Sequence, residues 1–282
     1  MVRRVVQHGS QRGLTYPRPV FTPLHRGGSG SPLVLLHGFT DTWRTWELVL
    51  PRLERHHDVL APTLAGHAGG PALGGSGVTE TLLADEVERA MDAAGFGTAH
   101  VVGNSLGGYV ALQLAARGRA LSVVALAPAG GWAPGDESSE EALGHFVRMD
   151  EALQAAVPHV DAIVARAEGR RLSTAHFAER FEHIPPELIA HLMCGAAACE
   201  AVRPFTDFAR VHGWPLDAER ISCPVRVVWG TADKLLEWPS AAARYRSELT
   251  WADWVELDAV GHCPQLDVPL ETAELILGWI TH

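Results

Sequence analysis

The feature that most constrains the fold is a regular alternation between short apolar runs and helical segments. Residues 33–36 are Leu-Val-Leu-Leu, and a run without polar alternation fits a strand that is buried on both faces, as in a parallel sheet. Further strands are predicted at residues 58–61, 99–102, 122–127, 225–229 and 254–257. Helices are predicted at residues 45–55, at 79–94 with Thr79 as the capping residue, at 106–117 and at 269–280. This alternation predicts an α/β fold with a mostly parallel central sheet flanked by helices.

One long stretch breaks the alternation. Residues 131–214 contain no convincing strand pattern, and helical spacing recurs at 140–157, 161–168, 175–181 and, with interruptions, 186–208. We therefore expect a helical cap (lid) at 131–214, inserted into a core formed by residues 20–130 and 215–282. Residues 1–19 contain Gly9, Gly13, Pro17 and Pro19, which predicts an N-terminal extension that is either loose or an edge strand.

Bulk properties narrow the range of partners. The chain of 282 residues has a net charge of -10, whereas a nucleic-acid-binding protein usually presents a basic face. No apolar run approaches the ~18 residues of a membrane span, and the N-terminal residues lack the apolar stretch of a signal peptide. The four cysteines show no CxxC pair, which predicts reduced thiols. We expect a cytoplasmic protein that binds a small-molecule substrate, without a metal, cofactor, nucleic acid or membrane; the oligomeric state is left open.

The sequence Gly103-Asn104-Ser105-Leu106-Gly107 carries the clearest chemical signal. Ser105 lies between a predicted strand and a predicted helix, where a strained turn exposes a nucleophile and side chains at the flanking glycines would collide with neighbouring chain. The alternative, a glycine-rich phosphate-binding turn, lacks the G-x-x-x-x-G-K-[ST] and G-x-G-x-x-G patterns. We interpret Ser105 as a catalytic nucleophile.

A serine hydroxyl needs a base, and the base needs a carboxylate that orients it. Asp233 follows the strand at 225–229, and His262 follows the strand at 254–257, so both lie at carboxyl ends of predicted strands. The sequence therefore predicts Asp233 as the acid and His262 as the base. Other candidates for these two roles are His37, His67, His100, Asp253 and Asp258.

Acyl chemistry also requires donors for an oxyanion. The backbone N–H groups of Leu106, after the nucleophile, and Phe39, after the first buried strand, are the predicted oxyanion hole. His37 and His67 are expected to shape neighbouring loops rather than to transfer protons.

These pieces together resemble the α/β-hydrolase superfamily, from about residue 20 to the C-terminus. The resemblance rests on residues 33–39, 64–67, 103–108, 229–233 and 261–262, and the helical insertion occupies the position of that family's cap. The haloalkane dehalogenases and epoxide hydrolases of this superfamily use an aspartate nucleophile. A serine at position 105 therefore implies that the chain belongs to neither of these branches. The run Gly-Asn-Ser-Leu-Gly-Gly resembles both carbon–carbon bond hydrolases and simple esterases.

Three functions stay open at this point. The leading hypothesis is a serine carboxylesterase that cleaves a small or medium ester through an acyl-enzyme intermediate. The alternatives are a carbon–carbon bond hydrolase of ring-fission diketone acids and a hydrolase-like ligand sensor. Apolar cap residues are predicted to line the substrate pocket or merely to pack the cap: Trp132, Phe146, Met149, Phe181, Met193, Phe205 and Phe208.

Overall fold

The computed structural model of the chain describes residues 19–75 and 77–280. Its strands are β1 Leu24–Gly28, β2 Ser31–Leu36, β3 His57–Pro62, β4 Ala99–Asn104, β5 Ala120–Leu126, β6 Val225–Gly230 and β7 Asp253–Leu257. Its α-helices are α1 Leu50–Leu53, α2 Leu82–Ala94, α3 Leu106–Ala116, α4 Ser138–Ala156, α5 Val160–Val164, α6 Ala167–Thr174, α7 Pro186–Ala197, α8 Val202–His212, α9 Ala243–Glu248, α10 Pro264–Asp267 and α11 Pro269–Ile280.

The strands form one seven-stranded sheet in the order β1-β3-β2-β4-β5-β6-β7. Strand β1 pairs antiparallel with β3 at the edge, and every other neighbouring pair is parallel. The sequence prediction of a mostly parallel sheet with flanking helices is confirmed. The parallel strands place their carboxyl ends at one edge of the sheet, where ligand sites of open α/β sheets usually lie.

The two faces of the sheet explain why the central strand β2 is apolar at every position from Leu33 to Leu36. In β2, Val34 and Leu36 belong to one buried cluster, whereas Leu33 and Leu35 belong to another. The first cluster includes residues of α2, α3 and α9, and the second includes residues of α1 and α11. Because successive strand residues point to opposite faces, coverage of both faces requires an apolar residue at every position.

The segment between β5 and β6 contains only helices and turns, α4 to α8, as its sequence predicted. Helix α4 packs against α7 and α8, and α7 packs against α5 and α6. That this segment is a cap domain bounded at residues 131 and 214 stays a prediction. The predicted N-terminal extension, residues 1–19, lies outside the described residues except for residue 19.

Two local predictions are wrong. The helix predicted at 45–55 is a short 3-10 turn, Trp43–Trp46, followed by α1, because Pro51 has no N–H to continue a helix and stands in the first turn of α1. Helix α2 begins at Leu82, so Thr79 is not its capping residue.

The helix predicted at 175–181 is also absent, since α6 ends at Thr174. Backbone groups of this segment bind elsewhere: Glu179 and Arg180 donate their N–H groups to Asp267, and the Phe177 carbonyl accepts the N–H of Cys263. These partners replace the bonds that a helix would have made within itself.

No single helix in the described parts of the chain is long and apolar enough to cross a bilayer. The pair α7 and α8, which meet at a bend of 65°, would match a broken span by length and composition alone.

Candidate active site

Ser105 sits on the sharp turn between β4 and α3. Its backbone has φ +54° and ψ −117°, a conformation that L-residues rarely adopt and that costs free energy. A Cβ at Gly107 would lie 2.2 Å from the carbonyl oxygen of Leu36, and one at Gly103 would lie 2.1 Å from that of Gly107. The two glycines are therefore required by close backbone approach, as the sequence pattern indicated.

His262 and Asp233 are joined directly. The Nδ1 atom of His262 lies 2.7 Å from Oδ2 of Asp233, and both side chains are buried. The other carboxylate oxygen, Oδ1, accepts the backbone N–H groups of Leu235 and Leu236 at 2.9 and 2.8 Å. These bonds fix the carboxylate, which in turn places the imidazole N–H on Nδ1 and leaves Nε2 as the basic nitrogen.

The basic nitrogen faces the same pocket as the serine. Nε2 of His262 is buried and has no hydrogen-bond partner among the described residues. Ser105 and His262 both line a cavity of about 90 Å³. The structure thus brings together the three predicted residues, two at the cavity and Asp233 behind His262. The arrangement is one in which an imidazole can take the proton of a serine hydroxyl.

Asn104 ties the serine turn to the histidine loop. Its Nδ2 donates to the carbonyl oxygens of Leu126 at 3.2 Å and His262 at 3.0 Å. Its Oδ1 accepts from Nε2 of Gln265 at 3.1 Å and from Sγ of Cys263 at 3.3 Å. The amide is therefore engaged on both sides, and its main effect is to hold His262 beside the turn that carries Ser105.

The predicted oxyanion donors are placed consistently with that role. Leu106 is the first residue of α3, and the first N–H groups of a helix have no partners within the helix. Phe39 lines the cavity together with Gly38 and Ser105. Their function as an oxyanion hole stays a prediction.

The other histidines and aspartates considered from the sequence have structural partners. His37 is fully buried; its Nε2 accepts the N–H of Leu64 at 2.8 Å, and its Nδ1 donates to the Gly38 carbonyl at 2.7 Å. Burial, together with the neighbouring His67, holds the pKa of His37 well below its ordinary value. Burial likewise lowers the pKa of His67 to about 4. Both rings are therefore neutral loop-forming groups.

The remaining rivals lie away from the cavity. His100 is paired with the Ser122 hydroxyl at 2.8 Å. Asp253 binds Arg226 at 2.6 Å, and Asp258 is exposed and lies 3.4 Å from the Thr231 hydroxyl.

The cavity wall is mostly apolar. It is formed by loops of the sheet and by the helical segment between β5 and β6. Phe146 and Met149 of α4 line it, as predicted. Trp132 does not line it within the described chain; its ring packs against that of Trp214 at 6.1 Å between ring centres, and it belongs to the buried cluster that contains Val34 and Leu36. The prediction of Trp132 as a substrate-binding residue is therefore corrected, because its ring is turned into the packing between core and helical segment. Met193 also lines the cavity.

The polar wall residues that the sequence reasoning missed include Asp41 and His176. Asp41 lies in the loop after β2, two residues beyond Phe39, and His176 lies just beyond α6. Burial lowers the pKa of His176 to about 4, with smaller contributions from His145 and His262. No signal in the sequence separated these residues from ordinary loop positions, although Asp41 is close to the predicted oxyanion residue.

No group of three or more histidine, cysteine, aspartate or glutamate side chains is arranged to hold a metal ion within residues 19–75 and 77–280.

A parallel sheet that presents a serine at a strained strand–helix turn, beside a paired histidine and aspartate, defines the α/β-hydrolase class. The model of the Alpha/beta hydrolase family matches residues 33–275. The chain belongs to this family and is an enzyme of the hydrolase class.

Individual relatives differ in what they act on. The chain is 32% identical to the epoxide hydrolase EphH of Mycobacterium tuberculosis, over 72% of this chain and 95% of that protein. It is 24% identical to an esterase of the same organism, over 97% of this chain and 93% of that protein. A meta-cleavage product hydrolase from Pseudomonas fluorescens has the same fold, with a TM-score of 0.67 and 20% identity over 92% of this chain and 93% of that one.

Proposed function

We propose that the protein is a serine carboxylesterase that hydrolyses esters with a short acyl group. The observation that carries the proposal is the pairing of Asp233 with Nδ1 of His262, which leaves the buried Nε2 without a partner at the cavity of Ser105. This arrangement supplies a base for the serine hydroxyl and a carboxylate that stabilises the charged imidazole.

The proposed reaction has two steps. Ser105 Oγ attacks the ester carbonyl while His262 Nε2 takes its proton, and the same proton then passes to the leaving alcohol. Water attacks the acyl-enzyme, His262 again takes a proton, and Ser105 recovers it as the acid leaves. The N–H groups of Phe39 and Leu106 would donate to the oxyanion in both tetrahedral states.

The size of the cavity supports a short acyl group. A volume of about 90 Å³ is smaller than the ~150 Å³ cavity that encloses benzene in an engineered protein. We therefore expect catalytic efficiency to be highest for acyl chains of about two to four carbons. Octanoate esters should be at least about 10-fold poorer than butyrate esters, because the extra methylenes lack a place in the wall.

The carbon–carbon bond hydrolase is the weaker candidate. Its diketone acid substrates carry a carboxylate, but the residues found to line this cavity in the described chain include no lysine or arginine, and they do include Asp41. Asn104 belongs to the run Gly-Asn-Ser-Leu-Gly-Gly that resembles such hydrolases, and its amide is engaged by Leu126, His262, Gln265 and Cys263. A substrate carboxylate without a cationic partner would be poorly bound beside the carboxylate of Asp41.

Epoxide opening is disfavoured by the chemistry of the nucleophile. A carboxylate that opens an epoxide gives an ester, which water can cleave. A serine would give an ether, and the Ser105–His262–Asp233 arrangement has no means of hydrolysing an ether. We therefore do not expect this chain to hydrolyse epoxides.

The test compares the wild type with Ser105→Ala on p-nitrophenyl esters from acetate to octanoate. Ser247→Ala is the matched control, because Ser247 is an exposed serine at the end of α9 whose hydroxyl donates to Arg244. The wild type and the control should turn over many times and react with a fluorophosphonate at Ser105. The Ser105→Ala variant should do neither.

Each contrary result has a definite meaning. Full activity of Ser105→Ala would reject the mechanism. Labelling of Ser105 combined with a single slow turnover and a ligand-stabilised fold would favour a sensor. Turnover of a dienoate diketone acid, with little activity on simple esters, would favour carbon–carbon bond hydrolysis.

A further inference from the structure

A carboxyl group stands in the wall of the cavity, beside the groups proposed to react. Asp41 lines the same cavity as Ser105 and His262, and its side chain is half-buried. Its Oδ1 accepts the backbone N–H of Thr42 at 2.7 Å, and its own N–H donates to the Gly38 carbonyl at 3.3 Å. These bonds hold Asp41 in place on the loop that also carries Phe39.

The lining residues of the described chain offer Asp41 no permanently cationic partner. None of the lining residues within the described ranges is a lysine or arginine, and the titratable groups that share the wall are His176, His262 and Cys263. Burial keeps the pKa of His176 at about 4 and raises that of the Cys263 thiol well above its ordinary value, so both are neutral near pH 8. The nearby Arg44 is paired with Glu47.

The remaining wall is mostly apolar, which makes a charge there influential. Electrostatic interactions are weakly screened where water is partly excluded, and an acyl group bound at Ser105 would lie in the cavity that the Asp41 carboxyl lines. Burial raises the pKa of Asp41 to about 7, so the group is mainly ionised at pH 8 despite its surroundings.

We propose that Asp41 determines the charge selectivity of the acyl pocket, by rejecting acyl groups that carry a carboxylate and favouring those that carry an ammonium group. This proposal rests on the esterase function proposed above and deepens it. Asp41 acts on the substrate as a specificity residue and takes no part in the proton transfer between Ser105 and His262.

The test uses ethyl esters that differ in charge but little in shape. Ethyl butanoate is neutral, and ethyl 3-aminopropanoate replaces its terminal methyl with an ammonium group. Monoethyl succinate carries a carboxylate, and ethyl 4-oxopentanoate is its neutral counterpart. The value of kcat/KM for each ester is measured at pH 8 by acid release, for the wild type, Asp41→Asn and the control Asp207→Asn, whose exposed carboxyl pairs with Arg210.

The wild type and Asp207→Asn should disfavour the carboxylate ester by at least about 10-fold relative to its neutral counterpart, and should favour the ammonium ester over ethyl butanoate. Asp41→Asn should bring both ratios close to one, and each ratio compares two esters on the same variant, so it does not depend on the absolute activity of that variant. Unchanged ratios in Asp41→Asn would overturn the selectivity proposal. Ser105-dependent hydrolysis of ethyl butanoate would in that case leave the esterase proposal intact.

A binding measurement keeps the proposal testable even if no ethyl ester is turned over, a result that would count against the esterase function alone. Butylboronic acid and 3-carboxypropylboronic acid mimic the neutral and anionic acyl groups. The neutral boronic acid should raise the melting temperature of the wild type more than the anionic one at pH 8, and Asp41→Asn should lose this difference. A difference of equal size in Asp41→Asn would overturn the role of Asp41.

Discussion

Oδ2 of Asp267 accepts the backbone N–H of Gly261 at 2.6 Å, one residue before His262. The same buried carboxylate accepts the N–H groups of Glu179 and Arg180 at 3.0 and 2.8 Å. A single side chain therefore connects the loop of the proposed base to the segment that follows His176 in the helical region between β5 and β6. The position of the base and the shape of the cavity wall depend on each other through this carboxylate.

Replacement of Asp267 by Asn should damage stability and activity together. Both oxygens of Asp267 accept backbone N–H groups, and asparagine replaces one of these oxygens with an NH2 group, which cannot accept them. At least one buried N–H is then unpaired, at a cost of about 2–4 kcal/mol in the free energy of unfolding. Urea denaturation should show that loss in the free energy of unfolding, and kcat on a short ester should fall because His262 is less well held. Asp258→Asn, which changes an exposed carboxyl at the end of β7, is the control. Wild-type stability of Asp267→Asn would contradict the connecting role.

Replacement of Asp233 by Asn should leave the fold in place and remove most of the activity. The new side chain keeps an oxygen for the Leu235 and Leu236 N–H groups, but its NH2 group faces Nδ1 of His262. The imidazole then carries its proton on Nε2 and cannot take the proton of Ser105, so kcat should fall about 10³- to 10⁴-fold.

Asp253→Asn is the matched control for this loss, because Asp253 is one of the two competing acids from the sequence and forms a part-exposed pair with Arg226. Its activity should stay within about twofold of the wild type, since such pairs contribute little. Similar losses in both variants would show that Asp233 has no special role.

Two glycine-to-alanine changes should have opposite effects on stability. At Gly107 the new methyl would meet the backbone oxygens of Leu36 at 2.2 Å and His37 at 2.6 Å, and neither can move aside. We expect a loss of about 3 kcal/mol or more in the free energy of unfolding. At Gly278 of α11 the space is open, so alanine should add about 0.5–1 kcal/mol through its helix propensity. Urea denaturation of both variants checks the pair, and tolerance of Gly107→Ala would refute the crowding argument.

The sequence carried enough information for the sheet and for the residues at its carboxyl ends. Strands such as β2 are buried on both faces, and such burial requires consecutive apolar residues, which are visible in a short stretch of sequence. Ser105, Asp233 and His262 each follow a predicted strand, so the parallel arrangement brings them to one edge of the sheet. A short local pattern was sufficient to predict these three residues, because the place of each in the fold is fixed by the strand that it follows.

Other features depend on partners far along the chain and could not be read locally. Residues 175–181 have helical spacing, but their backbone bonds to Asp267 and Cys263, which lie more than 80 residues away, decide their conformation. Asp41 is a wall residue because side chains of α4 and α7, far along the chain, form the rest of the cavity beside the loop that carries it. Trp132 faced the core for a similar reason, since its position is set by packing against Trp214.

The burial of Asp41 has a consequence for stability that is separate from its proposed role in selectivity. Burial raises the pKa of its carboxyl from an ordinary 3.8 to about 7 in the folded protein. Between these two values the folded chain keeps a proton that the unfolded chain has released, so the free energy of unfolding falls as the pH rises. Above pH 7 both states are ionised, and the penalty of holding the charge in the cavity is complete.

Asp41→Asn should therefore be more stable than the wild type at pH 8 and about equally stable at pH 4. Asparagine keeps an acceptor for the Thr42 N–H but carries no charge. Because the wild-type side chain is only half-buried, solvent reduces the penalty, and the gain at pH 8 should be about 1–3 kcal/mol. Urea denaturation of both proteins at the two pH values measures it, and the difference between variants cancels the titration of all other groups. Asp207→Asn should show no comparable dependence, and an equal effect of Asp41→Asn at both pH values would mean that the carboxyl is ionised at little cost.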